Sequence, residues 1–301
     1  MNLPSGTAAS PKVTVIIPTY NWSSVLPFSI GSVLRQNFAD FELLVIGDGC
    51  TDDSEKVVTA IADPRLRWIN LPVNNGHQSA PNNEGLRQAR GSIIAYLGHD
   101  DLWLPHHLEV LVATIDAGAD VAHSIVQMIG AEGKIMPGWE IQGLQPGDWM
   151  APTGVAHRRT AAEKVGGWRD YRTLHIDPET DLWFRMHQAG FALKHVTRLT
   201  AVKFPAGWRK DSYKKKLSDE QQLWTERILT EKDLEAVEMG RLLLAEGLQR
   251  RAYVGSAASL RAVLSRTGDK ILRRLPENAL RWVLRKPKRV TIRTKRQFKG
   301  L

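Results

Sequence analysis

The chain has 301 residues, 43% hydrophobic and 24% charged, ordinary globular proportions that exclude wholesale disorder. Its one cysteine, Cys50, excludes a disulfide framework or a cysteine-built zinc site and suits a reducing compartment. The net charge of +9 is uneven: residues 270–301 hold 12 Lys/Arg against one acid, Glu277, leaving 29 basic and 31 acidic residues elsewhere, a net of −2.

Residues 1–11 are small and polar with two prolines and read as a disordered lead. They lack the basic and apolar regions of a signal peptide, so a cytoplasmic address is expected. No apolar run approaches the ~20 residues of a membrane span. V-T-V-I-I at 13–17 predicts a buried strand, and the spacing of Val25, Leu26, Ile30, Val33 and Leu34 predicts a helix over 23–36. Strands follow at 41–46, 66–71 and 92–97, with helices at 54–62 and 79–89 between them. This alternation implies a parallel, doubly wound sheet covered on both faces. Residues 121–152 are rich in Gly, Pro and Trp and read as irregular strands and a loop. Helices are expected at 159–165 and near 179–189, with a helical composition over 217–266. The expected organisation is a lead (1–11), a sheet domain (12–212) and a helical extension (213–301) ending in a basic amphipathic tail (270–301).

Ligands of such sheets sit beyond the carboxyl ends of the strands. Here those ends carry Pro18, Thr19, Tyr20 and Asn21, then Asp48, then Asp100 and Asp101. Two adjacent carboxylates at a strand exit repel each other, and a divalent cation relieves that repulsion; hard oxygens suit Mg²⁺ or Mn²⁺. The competing reading is a helix N-cap, with Asp101 capping a helix that begins in D-L-W-L-P while Asp100 binds metal. Asp48, in G-D-G-C, suits either a hydrogen bond to a base N–H or sugar hydroxyl, or a tight turn.

The blocks V-T-V-I-I-P-T-Y-N, F-E-L-L-V-I-G-D-G-C-T-D-D-S, N-G-H-Q-S-A-P-N-N-E-G, I-A-Y-L-G-H-D-D-L-W-L-P, H-R-R-T-A-A-E-K-V-G-G-W and E-T-D-L-W-F-R-M-H-Q-A-G resemble, in that order, the family 2 glycosyltransferases of the GT-A fold. The resemblance spans about residues 12–195. It implies a Rossmann-like α/β fold with a mostly parallel sheet, and inverting transfer from a nucleotide sugar, UDP-linked by expectation. It further implies that Thr19 and Tyr20 contact the donor nucleoside, with Pro18, Asn21, Asn82 and His99 in the same donor site. Asp48 would read the base, Asp100 would bind the Mn²⁺ or Mg²⁺ with Asp101 beside it, and Glu179 would be the catalytic base. Such a base is needed because the attacking hydroxyl loses a proton. Asp177 and Asp181 are its competitors.

Four positions depart from the family pattern. Gly98 stands where the first acid of Asp-any-Asp belongs, Gly47 replaces an acid, Asn82 replaces an Arg, and the base is Glu rather than Asp. The two lost acids motivate an alternative, a non-catalytic module of the same fold that binds nucleotide sugar or glycan.

Of ten tryptophans, Trp139, Trp149 and Trp168 fall on the expected acceptor side, with Asp181; their rings could stack on sugar or fill the core. His157, His187 and His195 read as structural, with a third metal ligand as the other possibility. In the tail, Ile271, Leu272, Leu275, Leu280, Val283 and Leu284 interleave with Arg, a pattern suited to anionic lipid. The expected partners are therefore a nucleotide sugar, a carbohydrate or glycolipid acceptor and an anionic membrane surface on its cytoplasmic side. Nucleic acid is not among them.

Overall fold

The computed structural model describes residues 10–133, 135–136 and 149–253. Its first half follows the sequence pattern closely. Strands β1 (Val13–Thr19), β2 (Phe41–Gly47), β3 (Leu66–Asn70) and β4 (Ile93–Tyr96) alternate with helices α1 (Leu26–Leu34), α2 (Ser54–Thr59) and α3 (Ser79–Gln88). β1 pairs in parallel with β2 and β4, and β2 with β3.

Alternate residues of these strands point to opposite faces, and each face has its own apolar cover. Val13, Val15, Ile17, Leu43, Val45 and Ile93 pack with α1 residues Leu26, Ile30 and Val33. Ile16, Leu44, Ile46, Ile94 and Tyr96 pack on the other face. There Gly85 lets α3 lie close to the sheet, since a Cβ at that position would stand 2.6 Å from a methyl of Ile16.

The second half is β5 (Leu102–Trp103), α4 (His107–Asp116), β6 (Val121–Ile129), β7 (Ile135–Met136), β8 (Val155–Arg158), α5 (Arg159–Val165), α6 (Pro178–Gln188), β9 (Leu193–Lys203), α7 (Ser212–Lys215), α8 (Asp219–Thr230) and α9 (Leu234–Tyr253). The described strands form one sheet in the order β3-β2-β1-β4-β8-β6-β9-β5, with β7 on β6. Only its first half is uniformly parallel; β8 runs antiparallel to β4 and β6, and β5 antiparallel to β9. The expectation of a mostly parallel sheet therefore holds for β3-β2-β1-β4 and gives way to mixed pairing beyond it.

Two local expectations are overturned. No helix starts in D-L-W-L-P: Leu102 and Trp103 pair with Val202 and Ala201, and α4 begins only at His107. Pro105 pushes Leu104 away from helical backbone, so Asp101 caps nothing. Val121–Ile129 is one continuous strand with every residue buried, and the expected irregularity is confined to register shifts around Ser124–Val126 in its pairing with β9. Burial on both faces removes the alternation by which a strand is read.

Helices α8 and α9 are built into the sheet's core. Trp224, Leu234 and Leu242 share one apolar cluster with Leu102, Ile125, Val202 and Phe204. Glu238, wholly buried, is held by Gln127 of β6 at 2.7 Å, Arg227 at 2.6 Å and Arg241 at 2.7 Å. No helix among the described residues is long and apolar enough to cross a membrane. The tail at 270–301 and its apolar residues lie outside the described residues, as does Trp139.

Candidate active site

The carboxyl ends of β1 and β4, the first turn of α6 and the last residue of β9 converge on one small cleft. Pro18, Gly98, Trp149, Thr153, Glu179 and Lys203 line it, together with Gln78 from the start of α3. Lys203 is the last residue of β9, Glu179 lies in the first turn of α6 and Gln78 directly precedes α3, places where side chains leave the packed layers.

Glu179 sits in the first turn of α6, after Pro178, whose fixed φ suits a helix start. Its Oε1 accepts the indole N–H of Trp149 at 3.0 Å, and Gln78 Nε2 lies 3.5 Å from its Oε2. Burial and the nearby charge of Asp177 push its pKa above the ordinary carboxylate value, against the lowering effects of Trp149 and Lys203. A carboxylate in this setting is a stronger proton acceptor than an exposed one.

The acid doublet divides. Asp101 is wholly buried, and its carboxylate accepts from Lys203 Nζ at 2.8 Å, from the backbone N–H of Phe204 at 3.0 Å and from the hydroxyl of Thr153. Both oxygens are thus spent on the protein, and the expected metal role for Asp101 is corrected to an internal anchor between β4 and β9. Asp100 is held through its backbone: Gln221 of α8 donates to its carbonyl at 3.0 Å. Among the described residues no group of three His, Cys, Asp or Glu side chains could hold a metal ion. A divalent cation at this strand exit would draw on Asp100 and on oxygens of its substrate, a mode familiar for Mg²⁺ with phosphates.

Around the end of β1, Thr19 Oγ1 is hydrogen-bonded to His99 Nδ1 at 3.0 Å, and His99 Nε2 to the hydroxyl of Tyr213 at 3.2 Å. Trp22 packs edge-on against both rings. Asn21 takes φ 45°, a conformation Asn tolerates better than most residues, and its amide holds Thr51 and Asp52. Tyr20 follows β1, half-buried.

Asp48 is more occupied than its sequence position suggested. Its carboxylate accepts the backbone N–H groups of Asn75 and Gly76 at 3.0 Å and the Asn75 side chain at 2.8 Å. It anchors the 74–76 loop beside the β2 end. Asn82 is fully buried on α3 and its amide atoms have no partner among the described residues, a placement short of any direct contact with the cleft.

Several acceptor-side expectations fail. Trp168 is a core residue at 3% exposure, its indole N–H donating to Tyr96 at 3.1 Å and its ring edge-on to Trp183. Asp181 is ion-paired with Arg185 at 2.8 Å and Arg169 at 3.3 Å; Arg185 in turn donates to Val165 and Gly167, fixing the G-G-W turn. Neither faces a substrate. Trp149 does line the cleft, and its N–H is taken up by Glu179. His157 is buried against Tyr96 with its pKa lowered to about 4, and His195 lies 3.4 Å from His123. His195 stands near the start of β9, roughly 25 Å along the strand from Lys203, so it is no metal ligand of this site. His187 is exposed on α6.

Gln78, Thr153, Lys203 and Gln221 escaped the sequence reading. Lys203 ends the run L-T-A-V-K, which signals a strand with a polar residue at its carboxyl end; the other three carry no distinguishing pattern.

The profile described as Glycosyl transferase family 2 matches residues 14–163. The chain belongs to glycosyltransferase family 2. It is 33% identical over 173 residues to an uncharacterised glycosyltransferase of Nostoc sp., covering 51% of this chain and 53% of the relative. The chain thus spans about half the length of that protein. A second relative, 35% identical over 101 residues, is the UDP-Glc:alpha-D-GlcNAc-diphosphoundecaprenol beta-1,3-glucosyltransferase WfgD of Escherichia coli, covering 34% of this chain and 40% of that one. Among solved structures, S. aureus TarS 1-349 in complex with UDP-GlcNAc is similar at TM-score 0.58 and 19% identity, over 82% of this chain and 74% of that one. At this identity the likeness bears on the fold, which is GT-A-like.

Two departures from the family 2 pattern now have steric reasons. A Cβ at Gly47 would stand 2.4 Å from Asn70 Oδ1 and 2.8 Å from the Trp68 ring. Asn70 needs that place, because it bonds both backbone groups of Cys50 at 2.9 Å. At Gly98 a Cβ would stand 2.5 Å from Asp101 Oδ2.

Proposed function

We propose that this chain is an inverting glycosyltransferase that moves a sugar from a nucleotide donor, a UDP-sugar in the first instance, to a hydroxyl of a glycan or lipid-linked acceptor. One observation carries the reading: Glu179, a partly desolvated carboxylate with raised pKa, shares a cleft with Lys203 and Gly98 at the strand ends. The donor would enter over Pro18, Thr19, Tyr20 and His99, with Asp48 holding the 74–76 loop that borders it.

In the transfer, Glu179 accepts the proton of the acceptor hydroxyl as its oxygen attacks the anomeric carbon. Trp149 and Gln78 hold the carboxylate in one orientation. The bond from the anomeric carbon to the diphosphate breaks with both electrons on the leaving oxygen. A divalent cation, Mg²⁺ or Mn²⁺, would be held by Asp100 and the donor phosphates and would offset that growing charge.

The lipid-linked acceptor is supported by the diphosphoundecaprenol named for the Escherichia coli relative. The +11 charge of residues 270–301 supports a peripheral hold on an anionic membrane surface. The test is a thermal-shift and product-release panel of uridine, guanosine and thymidine diphosphate sugars, with and without Mn²⁺. Stabilisation by one base class, with diphosphate release that needs Glu179, is expected. No stabilisation by any of the three would sink the reading in favour of a glycan-binding module.

A further inference from the structure

We propose that Lys203 is the protein's own cation for the donor diphosphate, a role that rests on the transferase reading above. Lys203 is the last residue of β9, and it lines the cleft together with Glu179, Thr153 and Gly98. Its side chain is 20% exposed, enough to touch a ligand and too little to be freely hydrated. Its one hydrogen bond among the described residues is to Asp101 Oδ2 at 2.8 Å. An ammonium has three N–H donors, so two remain for the cleft.

The surrounding charges keep this group a cation. Burial works against the ammonium, but Asp101, Asp100 and Glu179 outweigh it, and the pKa of Lys203 lies above its ordinary value. Asp101 cannot turn away, because Thr153 and the N–H of Phe204 hold its oxygens as well. The carboxylate thus fixes where the ammonium stands.

Gly98 completes the arrangement. With Asp101 held as it is, a side chain at 98 would meet the Asp101 carboxylate at 2.5 Å and Asp100 Oδ1 at 3.3 Å. No acid fits there. The strand exit therefore carries two carboxylates and one ammonium in a fixed cluster, with one of the carboxylates neutralised from inside the protein. A compact ammonium is a point charge well matched to phosphate oxygens. In the transfer it stays protonated: the hydroxyl proton goes to Glu179, the new C–O bond forms, and the electron pair of the broken bond settles on the diphosphate oxygen that Lys203 faces. Fixed charge aimed at developing charge is the arrangement that lowers such barriers most.

The experiment is calorimetric titration of UDP and UMP into the full chain in EDTA, for wild type, Lys203→Arg, Lys203→Gln and the double variant Asp101→Asn with Lys203→Met. The double variant removes both charges, so no buried carboxylate is left unpaired. Wild type should bind UDP at least tenfold more tightly than UMP without metal. Lys203→Arg should keep that gap within threefold, and the double variant should close it with UMP affinity unchanged. Should the double variant fail to fold by circular dichroism, Lys203→Gln, which keeps a donor for Asp101, must close the gap instead. Equal loss of UDP and UMP affinity, or an undiminished gap, would overturn the assignment to Lys203 alone. A wild type that binds no nucleotide at all would overturn the transferase reading with it.

Discussion

The indole N–H of Trp149 donates to Glu179 at 3.0 Å, so a tryptophan that lines the cleft meets the candidate base through its polar edge. This contact stabilises the charged form of a carboxylate that burial and Asp177 otherwise push toward the protonated form. The two effects oppose each other at one atom, which makes the pair measurable.

Trp149→Phe should raise the pKa of Glu179 further, because it deletes a donor to the carboxylate and keeps the ring. The base works deprotonated, so the acid limb of the kcat/KM profile should move to higher pH. At neutral pH the rate should fall about tenfold, in keeping with about 1.5–3 kcal/mol for a hydrogen bond to a charged group. A profile that keeps its position while KM for the acceptor rises would mean that the ring stacks on sugar.

Glu179→Gln keeps shape and removes the proton acceptor. Turnover should fall by about 10²–10⁴ with the donor's dissociation constant nearly unchanged. Stability gives a second reading. A carboxyl whose folded pKa is raised contributes stability that is complete below its unfolded value and is lost as pH rises through the folded value. The melting temperature of the Gln variant should match wild type at low pH and exceed it increasingly across that window. A variant equally active would move the base to Asp177.

Trp168 tests the corrected acceptor side. Its ring fills a cluster with Tyr96 and Trp183, and its N–H bonds the Tyr96 hydroxyl. Trp168→Ala should cost about 3–5 kcal/mol in urea unfolding, the usual range for an excised core aromatic. Trp149→Phe should cost far less by the same measurement. If Trp168→Ala instead left stability intact and raised acceptor KM, the ring would be a sugar platform after all.

Much of this was readable from the chain because period and position carried it. In β1, β2 and β4 the apolar runs are interrupted only by Thr14 and Glu42, and polar residues follow them, so the sequence itself places Thr19 and Asp48 at the strand ends. The rest depended on pairs distant in sequence. Asp100 and Asp101 look equivalent as letters, and only Lys203, 102 residues on, shows that one of them is spent internally. Trp149 and Trp168 look equally suited to a sugar face; the Tyr96 hydroxyl decides that one is core. Gly98 read as a lost acid, whereas the space around it is already filled by the Asp101 carboxylate.

The last prediction separates two ways of shortening the chain. Removing residues 270–301 takes away +11 of charge and no residue of the described core, so the melting temperature should hold while binding to anionic vesicles is lost. That binding should fall steeply with salt, because the attraction acts within a Debye length of about 8 Å at physiological ionic strength. Ending the chain after residue 212 is a different operation. It strips Trp224, Leu234 and Leu242 from the cluster on β5, β6 and β9, residues 7%, 5% and 0% exposed. At about 1.5–3 kcal/mol per buried apolar side chain the loss is about 5–9 kcal/mol, comparable to the whole stability of an ordinary domain. It also deletes Gln221, whose amide holds the Asp100 carbonyl, and Tyr213, which holds His99. The 1–212 fragment should therefore be poorly folded by circular dichroism and should not bind nucleotide. Gln221→Leu in the full chain isolates the second effect: it should stay folded and lose nucleotide affinity, since the strand exit would keep its core and lose its tether. A stable, nucleotide-binding 1–212 fragment would show that α8 and α9 are an accessory to the site rather than part of it.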